Sequence, residues 1–409
     1  MGSLSTTAFV ISAAVKTLVV FVVWLLAVAI TTLAERKIAA WIQDRSGPNR
    51  VGPWGLFQPI ADGIKNFIKE EVRPAESSRW IFYLAPVMSM FPAFVVFAVI
   101  PFAAPLSTPW GNIGMVVADL PIGFLYILAL GSLGVYGLVL GGWASNSKYP
   151  FLGGVRASAQ MISYEVALGL SLVPILMLSG NVSLPEIVRQ QQETLWYVLP
   201  LMVCFLFFGT SYFAETNRPP FDMPEAESEL VYGFHTEYSA MKFAMFMLAE
   251  YANMVTASAL MATFFFGGWD IPFWTGDNMS MAADGSIAGA APALWKTLLT
   301  GCFFATKVVF FIFVFIWVRW TVPRFRYDQV MALGWKVMIP MLVIYIAAVG
   351  GVMLGLEAAG IGFGLRYVVY LTLVNVALMA GIVFWLDRRR IIVGSAWRQR
   401  RPLQAQQRG

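Results

Sequence analysis

An acidic stretch at residues 214–238 concentrates the side chains of this sequence that are best suited to proton chemistry. It lies between two long apolar runs, where a connecting loop is expected. Two interpretations are open: the carboxylates form a solvated acidic surface, or they have shifted pKa values and take up and release protons. The acidic residues are Glu215, Asp222, Glu225, Glu227, Glu229 and Glu237, and the basic candidates are Arg218 and His235.

Three prolines limit how this stretch can fold. Pro219, Pro220 and Pro224 fix φ and remove backbone donors, so the first half is expected to be irregular. After the last of them the chain can turn helical, which places Glu225 and Glu229 at i and i+4 on one helix face. Like charges at that spacing repel each other, and this repulsion is one way in which carboxylate pKa values are shifted.

The composition places the whole chain in a membrane. Of its 409 residues 58% are hydrophobic and only 12% are charged, whereas a soluble domain is about 25% charged. About 20 apolar residues cross the hydrocarbon core of a bilayer. We therefore predict an all-α integral membrane protein with about nine transmembrane helices in one polytopic domain, residues 1–386. The apolar runs lie near 10–34, 82–103, 115–141, 160–180, 196–214, 240–266, 295–318, 337–356 and 364–386, and a basic cytoplasmic tail follows at 387–409.

The first long loop, residues 35–81, is too long for a plain connector. Apolar residues recur within it at helical spacing, while Asp62 and Lys65 occupy the other face. This pattern predicts an amphipathic helix that lies in the plane of the membrane interface. An ordinary packing helix is the alternative. The apolar positions are Phe57, Ile60, Ile64, Phe67 and Ile68.

Lysine and arginine are unevenly distributed among the loops. They are frequent in the loops 35–81 and 319–336 and in the tail, and they are absent from the loops 104–114, 267–294 and 357–363. With nine spans, all the basic segments fall on one side of the membrane, which is then the cytoplasmic side. The prediction is a multi-pass protein with its N-terminus outside, its C-terminus in the cytoplasm and a cytoplasmic acidic stretch.

Few residues of the chain suit a redox or nucleotide cofactor. Cys204 and Cys302 both lie in apolar runs, and His235 is the single histidine, which is too few for a zinc site or an iron–sulfur cluster. The sequence has no glycine-rich nucleotide-binding motif. Its basic residues flank membrane spans, so nucleic acid is not expected as a partner. We expect no metal site and no cofactor bound by this chain alone.

Among the charged residues in or at the ends of the apolar runs, we single out five. A charge in hydrocarbon costs about 3 kcal/mol, so each is expected to face the protein interior or water. They form either structural ion pairs or a path for protons or ions, and their number favours the path. These residues are Glu35, Glu165, Glu215, Glu250 and Lys307.

Four stretches together resemble one family. They are ERKIAAWIQDRSGPNRVG at 35–52, SNSKYPFLGGVRASAQMISYEV at 145–166, the acidic stretch, and RYDQVMALGWK at 326–336. With them, nearly the whole chain is similar to the membrane-embedded H subunit of proton-pumping NADH:quinone oxidoreductase, which is respiratory complex I. In mitochondria the corresponding protein is subunit one. Met223 and Val330 depart from the family pattern, since leucine is expected at both positions.

The resemblance implies a subunit of an enzyme, without a redox centre in this chain. Such a subunit joins the soluble arm to the membrane arm, closes a chamber for the substrate quinone, and starts a proton path towards antiporter-like membrane subunits. Flavin and iron–sulfur clusters are then expected in partner subunits. The expected location is the inner (plasma) membrane of a bacterium, with either ubiquinone or menaquinone as the substrate.

The resemblance also suggests roles for single residues. Arg36, Arg45 and Arg50 are expected near the quinone entrance or chamber, and contact with lipid phosphates is the alternative for each. Arg218 and Phe221 are expected in the chamber, nearer the soluble arm. The residues expected to couple to protons are Glu35, Glu165, Glu215, Asp222, Glu225, Glu227 and Glu250.

Two other functions stay open at this point. A homologous membrane subunit of an energy-converting hydrogenase or related dehydrogenase would keep the fold and change the electron donor. A cation/proton antiporter acting alone would need neither donor nor quinone. The segments QDRSGPNRVG and NRPPFD favour the quinone enzyme, and the lack of an internal repeat counts against the antiporter.

Overall fold

The computed structural model describes residues 6–109, 111–281 and 286–388, and this part of the chain is mainly helical. The all-α prediction is confirmed. The helices are α1 Thr6–Ile42, α2 Gln58–Ile68, α3 Arg79–Val95, α4 Gly123–Ala144, α5 Lys148–Ser179, α6 Leu184–Glu193, α7 Met202–Glu215, α8 Glu227–Leu230, α9 Ala240–Phe265, α10 Leu294–Thr321, α11 Tyr327–Ala332, α12 Ile339–Ala358 and α13 Leu365–Arg388. The predicted tail from residue 389 onwards lies outside the described residues.

Eight helical segments in the described residues are long and apolar enough to cross a membrane. Seven of them are built on α1, α3, α4, α5, α9, α10 and α13, and the eighth, Tyr327–Ala358, contains α11 and α12 joined by a π-helical turn. The predicted run 196–214 is helical only from Met202, and α7 has 14 residues, a length of about 21 Å. The residues before α7 do not continue the helix, because Pro200 lacks an N–H and the Tyr197 N–H donates to the Gln191 side chain at 3.1 Å.

Two helices extend beyond their predicted spans towards the acidic stretch. Helix α1 continues to Ile42, so Glu35 and Arg36 lie within it. Helix α5 begins at Lys148, twelve residues before the predicted run. Its Pro150 lies in the first turn, where backbone N–H groups have no acceptor within the helix, so a proline there costs no helical hydrogen bond. The hydropathy pattern found only the apolar parts of both helices, because their ends carry polar residues that contact other parts of the protein.

The amphipathic helix in the first long loop is present as α2. Its apolar side chains are largely exposed: Ile64 is 54% exposed and Phe67 is 74% exposed. Its polar side is tied to α1 by an ion pair between Arg36 and Asp62 at 2.6 Å. An exposed apolar face and a paired polar face are the arrangement expected of a helix in a membrane interface, and they disfavour the alternative of an ordinary packing helix.

Helix α9 is the centre of the core. Small residues, among them Ala252, Ala257 and Ala259, are fully buried along it, and α1, α3, α7 and α10 pack around it. Small side chains let helix backbones approach closely in a membrane. At the end opposite the acidic stretch, two antiparallel hairpins lie between the spans: β1 Leu106–Thr108 with β2 Gly111–Ile113, and β3 Met279–Met281 with β4 Ile287–Gly289.

A buried polar contact joins the last two spans. The Tyr345 hydroxyl of α12 donates to Asn375 Oδ1 of α13, and Asn375 Nδ2 donates to the Leu371 carbonyl at 3.1 Å. Asn375 is fully buried. The contact therefore ties α13 to the bundle at a fixed register.

Replacement of Tyr345 by Phe should loosen α13. The substitution leaves Asn375 Oδ1 without its donor, and an interhelical hydrogen bond in a membrane contributes about 1 kcal/mol. We expect faster amide hydrogen exchange in residues 365–382 and a lower melting temperature of the detergent-solubilised protein. Tyr370→Phe is the matched control, since Tyr370 lies on α13 and is 48% exposed. Equal exchange in the two variants would contradict the assignment.

Candidate functional site

A buried arginine at the end of α7 is shared by two carboxylates from different helices. Arg218 is 5% exposed. Its Nη1 donates to both carboxylate oxygens of Glu35 on α1 at 3.2 Å, and its Nη2 lies 4.0 Å from Glu250 Oε2 on α9. The guanidinium also lies over the Tyr251 ring, 4.3 Å from its centroid. Arg218 therefore connects Glu35 and Glu250.

Glu35 is also bound by a second arginine. Arg319, near the end of α10, donates through Nη1 to Glu35 Oε1. Buried charges are tolerated when they are paired and hydrogen-bonded, and Glu35 satisfies this condition with two cations. Loss of one partner would leave the carboxylate with the other, so the pairing can be redistributed without leaving Glu35 bare.

A polar cavity of about 730 Å³ lies beside Glu35, and we call it the arginine cavity. Its walls come from α1, from the loop that follows α1, and from α10, with one residue each from α2 and α9. The three arginines expected near the quinone all border it, together with two residues of the buried cluster around Arg218. The charged and aromatic wall residues are Glu35, Arg36, Arg45, Arg50, Tyr251, Arg319 and Trp320.

The loop that carries two of these arginines depends on glycine. Gly55 adopts φ +77°, and a Cβ there would lie 2.3 Å from the Pro48 carbonyl oxygen. Only glycine permits both the left-handed backbone and this close approach. The Pro- and Gly-containing segment thus folds back on itself, and Arg45 and Arg50 reach one wall of the arginine cavity.

A second, smaller cavity lies within the bundle, and we call it the carboxylate cavity. It has a volume of about 50 Å³ and is bordered by Glu165 of α5, Glu215 of α7 and Glu250 of α9. Tyr212, Asn217 and Asn253 add polar groups to its walls. A cavity of this size has room for a few water molecules, and these wall groups provide hydrogen-bond partners for them. Glu215 Oε2 is buried and has no hydrogen-bond partner among the described residues, which leaves it free to bind such a water.

The acidic stretch adds two carboxyl groups next to this cluster. Glu225 lies within hydrogen-bonding reach of Glu250, and burial, followed by the charge of Glu250, raises the pKa of Glu225 well above its ordinary value. Asp222 accepts a hydrogen bond from Arg324 Nη2 at 2.6 Å. Burial and then the charge of Glu225 nevertheless raise the pKa of Asp222 to about 7, against the opposing effect of Arg324. Two groups of the stretch thus have the shifted pKa values expected of proton-exchanging carboxylates.

Gln160 of α5 holds the beginning of the acidic stretch in place. Its Nε2 donates to the carbonyls of Ala214 and Phe221, both at 2.8 Å, and lies 3.3 Å from Asn217 Oδ1. The side chain is fully buried. Because these contacts lie on both sides of Arg218 in the chain, Gln160 fixes the segment that places its guanidinium.

Other predicted residues lie apart from the cavities. Phe221 is buried, with its ring centroid 5.4 Å from that of Tyr164 and 5.6 Å from that of Phe325, and it is not among the residues that border either cavity. Glu227 begins α8, but its side chain lies outside the part of the chain that the structure describes. Lys307 donates to the carbonyls of Phe266, Gly268 and Asp270 at 2.6–2.9 Å, at the end of α9 remote from Arg218.

The single histidine is buried among aromatic rings and stays uncharged. His235 is enclosed by the rings of Tyr232, Phe234 and Phe243, with centroid distances of 4.5–5.4 Å. Burial lowers its pKa to about 3. The imidazole is therefore neutral throughout the physiological pH range.

Sequence reasoning missed several residues of the site. Arg319 and Arg324 belong to the basic loop 319–336, which the sequence analysis used only to assign the cytoplasmic side. Arg319 directly follows an apolar run, as Glu35 does, and this position could have identified it. Gln160, Tyr251 and Asn253 carry no charge, and nothing in their spacing distinguishes them from ordinary polar residues of a helix. Among the described residues, no group of three or more His, Cys, Asp or Glu side chains is arranged to hold a metal ion.

The fold and the site define a polytopic membrane protein with a chain of buried carboxylates that leads away from an arginine-lined cavity. The chain belongs to the NADH dehydrogenase family, which matches residues 15–350. It is 47% identical to an H subunit of the NADH-quinone oxidoreductase of Cytophaga hutchinsonii over 342 residues, covering 83% of this chain and 96% of the relative. It is 50% identical over 343 residues to the corresponding protein of Leptospira biflexa, covering 81% and 92%. It is 48% identical over 339 residues to that of Geobacter metallireducens, covering 83% and 95%.

The Asp222 carboxyl should titrate near neutral pH in the folded protein. Its pKa is raised above the unfolded value of about 3.9, so the folded state binds the proton more tightly than the unfolded state. Its contribution to the free energy of unfolding is therefore fully present at low pH and is lost as pH rises through about 7. Infrared difference spectra between mildly acidic and mildly alkaline pH should show a carboxylic-acid band that is lost in Asp222→Asn.

Asp328→Asn provides the matched control for this measurement. Asp328 is exposed in the first turn of α11, and an arginine precedes it by a few residues, as Arg218 precedes Asp222. The band should persist in that variant. A band that is unchanged in Asp222→Asn would show that another group accounts for the titration.

Proposed function

We propose that this chain is the membrane subunit of a proton-translocating NADH:quinone oxidoreductase, in which it forms part of the quinone chamber and couples quinone reduction to proton movement. The observation that carries the proposal is the position of Arg218. It contacts Glu35, which borders the arginine cavity, and it approaches Glu250, which borders the carboxylate cavity. One buried cation thus links a site with room for a ligand to a site with room for proton-carrying water.

The arginine cavity suits a quinone head group. A quinone has two carbonyl oxygens, and guanidinium groups donate several hydrogen bonds in a fixed geometry. Reduction of the quinone adds two electrons and requires two protons, so negative charge develops on the oxygens before the protons arrive. Arginines at the wall stabilise that charge. One of these arginines, Arg319, also binds Glu35, so charge on the quinone competes with Glu35 for it.

This competition provides a route from quinone to carboxylates. When Arg319 is drawn to a negatively charged quinone, Glu35 depends more strongly on Arg218, and Glu250 loses part of its nearest cation. A carboxylate that loses a neighbouring cation binds protons more tightly. Glu250 shares the carboxylate cavity with Glu165 and Glu215, so a change at Glu250 alters the proton affinity of the set. Such groups titrate together rather than one by one.

The proposal includes partners and an orientation. Electrons come from iron–sulfur subunits of a soluble arm that also carries the flavin, and protons pass on to antiporter-like membrane subunits. The arm docks on the face that carries the acidic stretch and the basic loops, which is the cytoplasmic face of a bacterial inner membrane. The N-terminus is then outside and the basic tail is in the cytoplasm. The names of the relatives support this assignment over a hydrogenase or a separate antiporter.

Arg45→Ala should impair quinone reduction without preventing assembly. The substitution removes a donor from the wall of the arginine cavity, and the quinone-dependent rate should fall at least ~10-fold, a loss of about 1.4 kcal/mol. Electron transfer from NADH to a soluble artificial acceptor should be retained, because that acceptor takes electrons upstream. Arg73→Ala, in the same loop but exposed and outside the cavity, is the control. Equal loss of both activities in assembled Arg45→Ala enzyme would contradict the proposal.

Glu215→Gln should slow quinone reduction and proton pumping while the complex still assembles. Glutamine keeps the shape and some hydrogen bonding of the side chain but cannot ionise. Glu357→Gln is the control, because Glu357 is exposed at the other end of the molecule. The measurement is turnover and proton uptake in reconstituted vesicles. Wild-type values for both Glu215→Gln and Glu165→Gln in assembled enzyme would show that these carboxylates are structural and that protons enter elsewhere.

A further inference from the structure

A fully exposed phenylalanine stands out in the connection between α9 and α10, at the end of the molecule opposite the acidic stretch. The part of the chain that the structure describes leaves the side chain of Phe273 fully exposed. Its backbone adopts φ +66°, a left-handed conformation that is rare for a bulky residue. Strain of this kind persists only where the surrounding structure imposes it. The segment is therefore built so that this ring points away from the protein.

The residues on both sides of Phe273 are firmly held. The Ile271 N–H donates to Asp277 Oδ2 at 2.7 Å, and the Trp274 N–H donates to the Ile271 carbonyl at 3.2 Å. Trp274 folds back over Gly276, where an added Cβ would lie 2.5 Å from the indole. Asp270, at the start of the segment, is bound through its carbonyl by Lys307 at 2.6 Å. The turn is thus a rigid support that presents one aromatic ring.

The residue that follows Phe273 in the sequence packs against the start of α10. Trp274 packs on Trp295, with ring centroids 5.8 Å apart, and Trp295 lies in the first turn of the membrane-crossing helix α10. Leu294 and Leu298 on that helix are 61% and 62% exposed, as expected of side chains that face lipid. Lys296 lies beside the Trp295 ring and donates to the Ala291 carbonyl at 2.9 Å. Aromatic rings next to a lysine at the end of a span are typical of the boundary between lipid and water.

We propose that Phe273, Trp274 and Trp295 form an interfacial anchor that inserts into the lipid leaflet opposite the acidic stretch. Trp295 joins the exposed apolar surface of α10 to Trp274, and Trp274 directly follows Phe273, so the bilayer around α10 reaches the turn that presents this ring. The anchor fixes the turn whose carbonyls receive Lys307, and thereby fixes the end of α9. That end belongs to the helix that carries Glu250, but the proposal does not depend on the function of Glu250.

The direct test places a photo-crosslinker at position 273. Phe273 is replaced by p-benzoylphenylalanine, the intact complex is reconstituted in phospholipid nanodiscs, and the adducts formed on illumination are identified by mass spectrometry. The same replacement at Leu298, on the exposed face of α10, serves as the reference for lipid contact. Phospholipid adducts at position 273, at a yield within a few-fold of that at position 298, are expected. Adducts to another protein subunit, or no adduct at all, would overturn the proposal.

A second pair of variants separates the anchor from the strain. Phe273→Gly relieves the left-handed backbone and removes the ring, whereas Phe273→Trp keeps an interfacial ring. In lipid-free detergent the Gly variant should melt at the same or a higher temperature than the Trp variant, because relief of the strained backbone favours Gly. In nanodiscs the melting temperature of the Trp variant should rise relative to that of the Gly variant, because its ring contacts lipid. A difference between the two variants that is the same in nanodiscs and in detergent would show that the ring makes no use of the lipid.

Discussion

The pairing of a buried arginine governs the arrangement of the helices around the candidate site. A guanidinium removed from water needs opposite charge and hydrogen bonds close by, because the cost of leaving it unpaired is several kcal/mol. Arg218 obtains them from Glu35, which is 183 residues away in the sequence, and from the nearby Glu250 and Tyr251. Helices α1 and α9 must therefore approach the end of α7 closely, and the small residues of α9 make that approach possible.

The same requirement explains why the two cavities lie on either side of one residue. Glu35 is turned towards Arg218 and Arg319, and the remaining side of its carboxylate borders the arginine cavity. Glu250 lies 4.0 Å from the other terminal nitrogen of Arg218 and borders the carboxylate cavity. Neither cavity can change its charge without altering the balance around Arg218. Gln160, which holds the backbone on both sides of Arg218, keeps the guanidinium from moving away from either partner.

The sequence predicts some of these features well and others not at all. Apolar runs and the amphipathic helix α2 follow from local composition and period, which depend on neighbouring residues only. The ends of α1 and α5 do not follow from hydropathy, because their polar residues are buried by contacts with distant parts of the chain. Arg319 shows the same limit: its charge is visible in the sequence, but its pairing with Glu35 depends on how α10 packs against α1. Gln160 has neither charge nor period to distinguish it.

The chemistry of arginine restricts what can pass between the cavities. A guanidinium stays protonated in proteins, so Arg218 cannot accept a proton from one carboxylate and release it to the other. Whatever links Glu35 to Glu250 through Arg218 is therefore a redistribution of charge and hydrogen bonds rather than a transfer of protons. Under the proposed function, protons taken up at the arginine cavity and protons held in the carboxylate cavity would therefore stay separate populations along this route. Such a separation suits a device that moves protons across a membrane, because a continuous proton wire between the two sites would let protons run back as the charge on a bound quinone is neutralised.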